Sequence, residues 1–336
     1  MIQRCLSANG LRTWRQLKSV RTLQKIQYRQ LSQVGSSQEQ PERKWEEVRI
    51  PVPWGHIAGK WWGPRSRQPI LAIHGWMDNA NTFDPLIGLL PSDLSFLAID
   101  LPGHGLSSRY PAGMVYHSTE DIVVLRRIVK HFDWRDKLVL MGHSLGSIYS
   151  FTYSSAFPNE VEKYIGFDNI KPTNINNDKF IKETGGAIDR FLRFIANPDF
   201  SPEYPWDNIV ERQRKGSSES LTIESTKLLL QRGAYKSLTK EGHFGFRRDI
   251  RQMVSLLSTL PYEHIQEMAR RISCEVLSIK FKQAPYYEDP KYCNGILEII
   301  RNNAKRLEYH EVDGSHHGHL NNPENVAPIV KNFLRS

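Results

Sequence analysis

A serine between two glycines is the residue of this sequence best placed to do covalent chemistry. Gly142, Ser144 and Gly146 form a G-x-S-x-G pattern directly after the apolar run 137–141. Such a pattern places a serine on a sharp turn between a strand and a helix, where a Cβ at either glycine would collide with neighbouring backbone. The turn also aims the backbone N–H of Leu145 at a developing oxyanion. The spacing therefore predicts that Ser144 is a nucleophile.

A serine hydroxyl needs a general base before it can attack a carbonyl carbon at neutral pH. Three histidines, His316, His317 and His319, lie near the end of the chain on a loop between the last predicted strand and the last predicted helix. Any of them could act as the base. Two adjacent histidines and a third two residues later do not make a tetrahedral metal site without partners elsewhere, so no metal is predicted.

Alternating strands and helices must position these side chains. Apolar runs bounded by turn residues predict strands at 45–51, 56–62, 70–73, 94–99, 137–141, 161–167, 275–279 and 307–312. The first two strands read as a hairpin. The runs 70–73 and 94–99 are typical of buried parallel strands. Strands that alternate with segments of helical periodicity indicate βαβ units and a mostly parallel sheet.

Residues 171–271 interrupt this alternation. Their periodicity predicts helices at 178–196, 207–215, 221–231 and 249–258 and no convincing strand. We therefore expect a helical cap inserted into a core built from residues 45–170 and 272–336. Aromatic side chains at helical spacing usually belong to a core, and lining an apolar pocket is the alternative for five of them: Phe191, Phe194, Phe200, Tyr204 and Trp206.

Four motifs in this order resemble the α/β-hydrolase superfamily. They are HGW at 74–76, DLPGHG at 100–105, GHSLG at 142–146 and GSH at 314–316. The longer stretch HGWMDNA at 74–80, with RRD at 247–249, resembles the serine hydrolase-like (kraken-like) branch. The resemblance implies an eight-stranded sheet flanked by helices, and hydrolysis of a carboxylic ester or thioester through an acyl-enzyme. Lyases and haloperoxidases share the fold and the triad, and a non-catalytic binding protein on this scaffold is a further alternative.

The resemblance also implies roles for individual residues. Within the family's Gly-x-His loop, His316 is the base, with His317 and His319 as alternates. The backbone N–H of Trp76, directly after a predicted strand, would form the oxyanion hole together with that of Leu145.

The acid of the triad is missing from the superfamily's usual position. Gln283 stands there, after the seventh strand, and an amide cannot stabilise an imidazolium as a carboxylate does. Asp168 follows the predicted strand 161–167, a position from which some members of the superfamily supply the acid, and we predict it here. Glu288 and Asp289 are alternates if their loop folds back, although both are natural N-cap residues for the next helix.

Composition and charge narrow the remaining possibilities. The chain has 336 residues, of which 39% are hydrophobic, enough for a sizeable core. Its net charge is +9, but residues 1–38 carry seven Arg or Lys and no acid, so this segment accounts for all but two of those charges. An Arg-rich, acid-free amphipathic segment predicts a mitochondrial presequence and a matrix location, or a cytoplasmic one if it is only a solvated tail.

The motifs of the sequence indicate a small-molecule acyl substrate and no other binding partner. The sequence has no phosphate-binding or dinucleotide fingerprint, so no cofactor is predicted. Aromatic RNA-binding motifs are missing and the basic charge is concentrated at one end, so no nucleic-acid partner is predicted. No window of 18 apolar residues predicts a transmembrane segment. The oligomeric state is not predicted.

Overall fold

The computed structural model describes residues 43–134, 137–174, 176–196, 202–254 and 259–336. The described strands are β1 (Trp45–Val52), β2 (Gly55–Trp62), β3 (Ile70–Ile73), β4 (Phe96–Ile99), β5 (Leu138–His143), β6 (Val161–Phe167), β7 (Glu203–Pro205), β8 (Ala234–Lys236), β9 (His243–Phe246), β10 (Glu275–Phe281) and β11 (Arg306–Val312). The described α-helices are α1 (Asp84–Leu89), α2 (Ser118–His131), α3 (Leu145–Ala156), α4 (Asn177–Ala196), α5 (Trp206–Gly216), α6 (Ile223–Gly233), α7 (Tyr262–Arg270), α8 (Pro290–Asn303), α9 (Gly318–Asn321) and α10 (Ala327–Arg335).

In the described part of the chain, eight strands form one sheet in the order β1-β2-β4-β3-β5-β6-β10-β11. The hairpin β1–β2 and the pair β2–β4 are antiparallel, and the remaining pairs are parallel. This confirms the predicted α/β-hydrolase fold with its mostly parallel, eight-stranded sheet. The carboxyl ends of the parallel strands meet at one edge of the sheet, where ligands bind in open α/β folds.

Both faces of the sheet are buried, which explains why its central strands are apolar without alternation. Along β3, Leu71 and Ile73 point into one apolar cluster, whereas Ile70 and Ala72 point into the other. Helices α2, α3, α7 and α8 cover the first face, and α1 and α10 cover the second. The sheet is therefore held rigidly between two helical layers.

The segment between β6 and β10 contains helices at three of the four predicted places, namely α4, α5 and α6. It also contains a three-stranded antiparallel sheet in the order β7-β9-β8, which the sequence did not predict. These strands have three or four residues each, too few to show a period-two pattern. The expectation of a segment without strands was wrong for that reason.

The predicted helix 249–258 is also wrong in its described part. The structure has a single 3₁₀ turn at Ile250–Met253. The side chain of Asp249 caps this turn, and the guanidinium of Arg251 binds both Asp249 and the carbonyl of Tyr110 at 2.7 Å. These bonds tie the 3₁₀ turn to the loop of the core that contains Tyr110. Residues 255–258 lie outside the described residues, as do the predicted presequence 1–38 and Phe200.

None of the described helices combines the length and apolar character needed to cross a membrane.

A buried arginine joins helix α6 to the sheet. Arg232 is fully buried; its Nε donates to both carboxylate oxygens of Asp100 at 2.9 and 2.7 Å, and its two terminal nitrogens donate to Glu47 at 2.8 Å each. Removing one partner from a buried ion pair leaves the other charge uncompensated. We therefore expect Arg232→Leu to lower the free energy of unfolding by about 3–5 kcal/mol, measured by urea denaturation.

The control is Arg214→Leu, which removes a partly exposed arginine that pairs with Glu211 within α5. Exposed pairs contribute less than about 1 kcal/mol. If the two variants lost the same free energy of unfolding, the proposed contribution of the buried Arg232 ion pairs to stability would be contradicted.

Candidate active site

Ser144 lies on a strained turn between β5 and α3. Its backbone φ is 50° and ψ is −111°, a conformation that few non-glycine residues adopt and that is typical of functional sites. A Cβ at Gly146 would lie 1.9 Å from the carbonyl oxygen of Ile73, and one at Gly142 would lie 2.3 Å from the backbone of Gly146. Both glycines are therefore required by close packing, as the pentapeptide pattern predicted, and the serine side chain is left half-exposed.

Asp168 and His316 lie in contact on two loops at this edge of the sheet. Asp168 directly follows β6, and His316 lies on the loop between β11 and α9. The distance from Nδ1 of His316 to Oδ2 of Asp168 is 2.5 Å. Ser144 is adjacent, because its backbone N–H donates to the carbonyl of Phe167 at 3.0 Å. The structure thus brings together the three residues that the sequence proposed as nucleophile, base and acid.

The carboxylate of Asp168 is fixed by groups that the sequence did not point to. Its Oδ1 accepts hydrogen bonds from Nζ of Lys280 at 2.7 Å and from the backbone N–H of Phe281 at 3.0 Å. Lys280 also donates to the carbonyl of Ala284 at 3.0 Å, so its ammonium is held in place. A lysine near the end of an otherwise apolar buried strand was the available clue. Oδ2 is left for His316.

The alternate acids are engaged elsewhere. The carboxylate of Glu288 is paired with Lys171 and accepts the backbone N–H of Asn174 at 3.1 Å. Asp289 is the N-cap of α8 and accepts the backbone N–H of Lys291 at 3.0 Å. Neither has a described contact with His316.

Two backbone amides at the site have no hydrogen-bond partner within the described residues. They belong to Leu145, the first residue of α3, and to Trp76, in the turn after β3. The indole of Trp76 is separately anchored, because its Nε1 donates to the carbonyl of Gln252 at 2.9 Å. Both amides are therefore available to a ligand.

A cavity of about 680 Å³ opens beside Ser144. Its size is within the usual range for small-molecule sites. Apolar lining comes from Ile148, Phe180 and Val254, among others, and the wall near His316 is formed by Tyr287.

The buried carboxyl group of Asp121 contributes to the lining of this cavity. Asp121 accepts the hydroxyl groups of Tyr149 at 2.7 Å and Tyr110 at 2.9 Å, and its burial raises the pKa of the carboxyl to about 6. The described lining of the cavity therefore combines polar with apolar side chains, and Asp121 is one of three acids in it, with Glu288 and Asp289.

Four of the five aromatic residues that the sequence singled out in the segment 171–271 belong to small apolar clusters. Phe191 and Phe194 pack in one apolar cluster, and Tyr204 and Trp206 pack in another. None of these four lines the cavity as far as the described residues show it. The core interpretation is confirmed for them, and the pocket alternative is wrong.

The other histidines of the site are buried beneath it. Burial lowers the pKa of His143 to about 4 and places that of His319 well below its usual value. Burial alone would raise the pKa of Asp78, but the neighbouring His317 and His143 hold it well below the ordinary value. His319 contacts the hydroxyl of Thr82 at 3.0 Å. His317 and His319 have no described contact with a candidate acid of the triad, unlike His316.

Comparisons with known proteins agree with this architecture. A family model described as the alpha/beta hydrolase fold matches residues 68–202. A probable serine hydrolase of Drosophila melanogaster is 42% identical over 296 residues, which cover 88% of this chain and 89% of the relative. Serine hydrolase-like protein 2 of Homo sapiens is 32% identical over 301 residues, covering 86% of this chain and 94% of the relative.

A solved structure shares the fold over most of this chain. The crystal structure of a hypothetical protein of Pseudomonas aeruginosa PAO1 has 28% sequence identity and a TM-score of 0.75, covering 86% of this chain and 98% of the other. With the strained serine turn and the sheet order above, these similarities assign the family. The chain is a hydrolase of the serine hydrolase-like branch of the α/β-hydrolase superfamily.

Proposed function

We propose that this protein cleaves a carboxylic ester or thioester through an acyl-enzyme on Ser144. The observation that carries the proposal is the 2.5 Å contact between Nδ1 of His316 and Asp168, beside the serine turn. With Nδ1 donating to the carboxylate, Nε2 of His316 is the nitrogen left to accept a proton. A non-catalytic binding protein would have no need for such a pairing.

The proposed reaction uses each group once in acylation and again in deacylation. Nε2 of His316 takes the proton from Oγ of Ser144 as the oxygen attacks the carbonyl carbon, and Asp168 stabilises the resulting imidazolium. The amides of Trp76 and Leu145 bind the oxyanion. The imidazolium then protonates the departing alcohol or thiol. Water, deprotonated by the same histidine, attacks the acyl-enzyme and releases the acid and Ser144.

Lys280 is proposed as a positioning residue for the acid. Its ammonium lies 2.7 Å from Oδ1 of Asp168, and Lys280 is not among the described residues that line the cavity. By holding one carboxylate oxygen, it orients the other toward His316. A fixed acid keeps the imidazole in the tautomer and orientation that proton transfer requires.

The size and lining of the cavity support the proposed substrate class. A volume of about 680 Å³ with an apolar wall at Ile148, Phe180 and Val254 suits a medium-sized acyl group. Phe180 and Val254 come from the segment 171–271, which supports its proposed role as a cap over the core 45–170 and 272–336.

The test is reaction with an alkyl fluorophosphonate, followed by hydrolysis of p-nitrophenyl esters and acyl thioesters of increasing chain length. We expect one serine to be labelled and both substrate types to be hydrolysed, with an optimum at medium chain length. Absence of labelling and of turnover would favour the binding-protein alternative. Labelling with no hydrolysis of any ester or thioester would favour a haloperoxidase or lyase on the same triad.

We further propose that residues 1–38 are a mitochondrial presequence. We expect a fluorescent fusion of the full chain to enter the matrix and to be cleaved near residues 29–35, because an Arg-rich amphipathic segment without acids is what import selects. A fusion without residues 1–38 should stay cytosolic. N-terminal sequencing of the purified protein measures the cleavage, and an intact N-terminus in a cytosolic protein would contradict the proposal.

A further inference from the structure

Three buried side chains from distant parts of the chain meet beneath the serine turn. They are Asp78, from the turn after β3; His143, the last residue of β5; and His317, on the loop before α9. None of them is more than 4% exposed, and one ligand atom of each lies within 4.8 Å of the others. The proposed hydrolysis uses none of them directly.

Two of their three separations are close to the edge of a metal coordination tetrahedron. Oδ2 of Asp78 lies 3.2 Å from Nδ1 of His143 and 3.3 Å from Nε2 of His317. Zinc binds imidazole nitrogen and carboxylate oxygen at about 2.0–2.2 Å, which puts neighbouring ligand atoms about 3.3–3.6 Å apart in a tetrahedron. The carboxylate oxygen therefore lies at about the spacing from each imidazole nitrogen that a shared cation requires, and all three ligand atoms lie within 4.8 Å of one another.

Two of the three converging atoms, Nδ1 of His143 and Oδ2 of Asp78, have no described hydrogen-bond partner, whereas Nε2 of His317 also lies 3.3 Å from Oδ1 of Asp78. Nε2 of His143 lies 2.9 Å from the carbonyl oxygen of His316, an acceptor, so this nitrogen must donate. In a neutral ring, Nδ1 then presents a lone pair to Oδ2 of Asp78. Among the described residues, neither of these buried atoms makes a well-aligned hydrogen bond. Two facing lone pairs at this distance repel each other unless a positive species lies between them.

The ring nitrogens that point away from the proposed cation, Nε2 of His143 and Nδ1 of His317, have polar partners, as is usual for metal-bound histidines. His143 donates to a backbone carbonyl, and Nδ1 of His317 lies 2.7 Å from the hydroxyl of Ser220. Such outer partners fix the tautomer and orient the ring toward a metal. Gly75 keeps the space open, because a Cβ there would lie 2.7 Å from Nδ1 of His143.

We propose that Asp78, His143 and His317 bind a divalent transition-metal cation, and that zinc is the best match to two imidazoles and one carboxylate. The sequence predicted no metal because the partners of His317 are remote; Asp78 is 239 positions away. A cation here would not touch the substrate. Through the bond from His143 to the carbonyl of His316, it would fix the loop that carries the base.

The test measures zinc binding to the purified full-length chain rather than activity. Chelator-treated protein is incubated with zinc chloride, freed of excess metal by gel filtration and assayed by elemental analysis. Cobalt(II) replaces zinc in a second sample, and its visible absorption reports tetrahedral coordination. We expect one zinc per chain, a tetrahedral cobalt spectrum and a higher thermal unfolding midpoint with metal than without.

Variants separate this site from other histidines. Asp78→Asn and His317→Gln should lose the bound zinc, and Ser220→Ala should bind it about 10- to 100-fold more weakly because His317 loses its orienting partner. His310→Gln is the matched control, since His310 is partly exposed and paired with Glu308. His316→Ala should keep its zinc.

Circular dichroism checks that each variant is folded. If a variant of a ligand residue fails to fold, the weaker zinc binding expected of Ser220→Ala still tests the proposal. Binding well below one equivalent by folded wild-type protein would overturn the proposal and leave a proton between Asp78 and His143. Zinc retained by Asp78→Asn and His317→Gln, or lost in His316→Ala, would overturn it too. Zinc bound as expected in a chain without hydrolase activity would affect only the proposed function.

Discussion

Ser144→Ala is expected to abolish labelling by an alkyl fluorophosphonate and to lower ester hydrolysis by about 10⁴-fold or more. The reason is that the nucleophile, the base and the acid act as a unit, so removing the hydroxyl forfeits the acyl-enzyme route entirely. The substitution leaves the strained backbone of the turn, with its φ of 50°, unchanged in shape because alanine differs from serine only by the oxygen. The measurement is kcat/KM on the best ester, with mass-spectrometric detection of the labelled peptide.

Ser118→Ala is the matched control. Ser118 lines the same cavity, at the start of α2. No hydrogen bond between its hydroxyl and a histidine is described, so nothing is placed to activate it as a nucleophile. It should keep full labelling and lose at most a few-fold in kcat/KM. Undiminished labelling of the Ser144 variant would refute the assignment of Ser144 as the nucleophile. Loss of labelling in the Ser118 variant alone would identify Ser118 as the nucleophile instead.

The serine turn was predictable from sequence because its residue pattern is local. Gly142 is required by contact with the backbone of Gly146, whereas Gly146 is required by the carbonyl of Ile73 on the neighbouring strand β3. The two glycines still stand at fixed positions around the serine, and the run before them indicates a buried strand. The order of strands and helices follows from periodicity in the same way. The short strands of the sheet β7-β9-β8 were not predictable, since strands of three or four residues carry too little periodicity to distinguish them from turns.

The contacts of Asp168 show what local sequence patterns cannot predict. Asp168 could be proposed from its place at the end of a strand, but its ion pair with Lys280 joins residues 112 positions apart. Likewise, Asp78, His143 and His317 look like unrelated turn residues until the fold brings their side chains together. Periodicity predicts which elements form and which face they bury. It does not predict which polar side chains of different elements meet.

Asp168→Asn is expected to lower kcat by about 10⁴-fold while leaving the protein folded. An asparagine at this position can still accept the backbone N–H of Phe281, but its amide cannot stabilise a charged His316 or hold the ring in the tautomer that leaves Nε2 free. Labelling of Ser144 should slow by a similar factor. Stopped-flow or initial-rate kinetics on the same ester measure the loss.

Two controls separate a catalytic from a structural cause. The double variant Glu288→Gln, Asp289→Asn removes the alternate acids, and we expect it to keep kcat within a few-fold. Asp168→Asn also leaves the ammonium of Lys280 without its carboxylate, so the double variant Asp168→Asn, Lys280→Met should regain any lost stability without regaining kcat. Recovery of activity along with stability would mean that Asp168 is only structural, and a large fall in kcat confined to the Glu288 and Asp289 variant would move the acid to that loop.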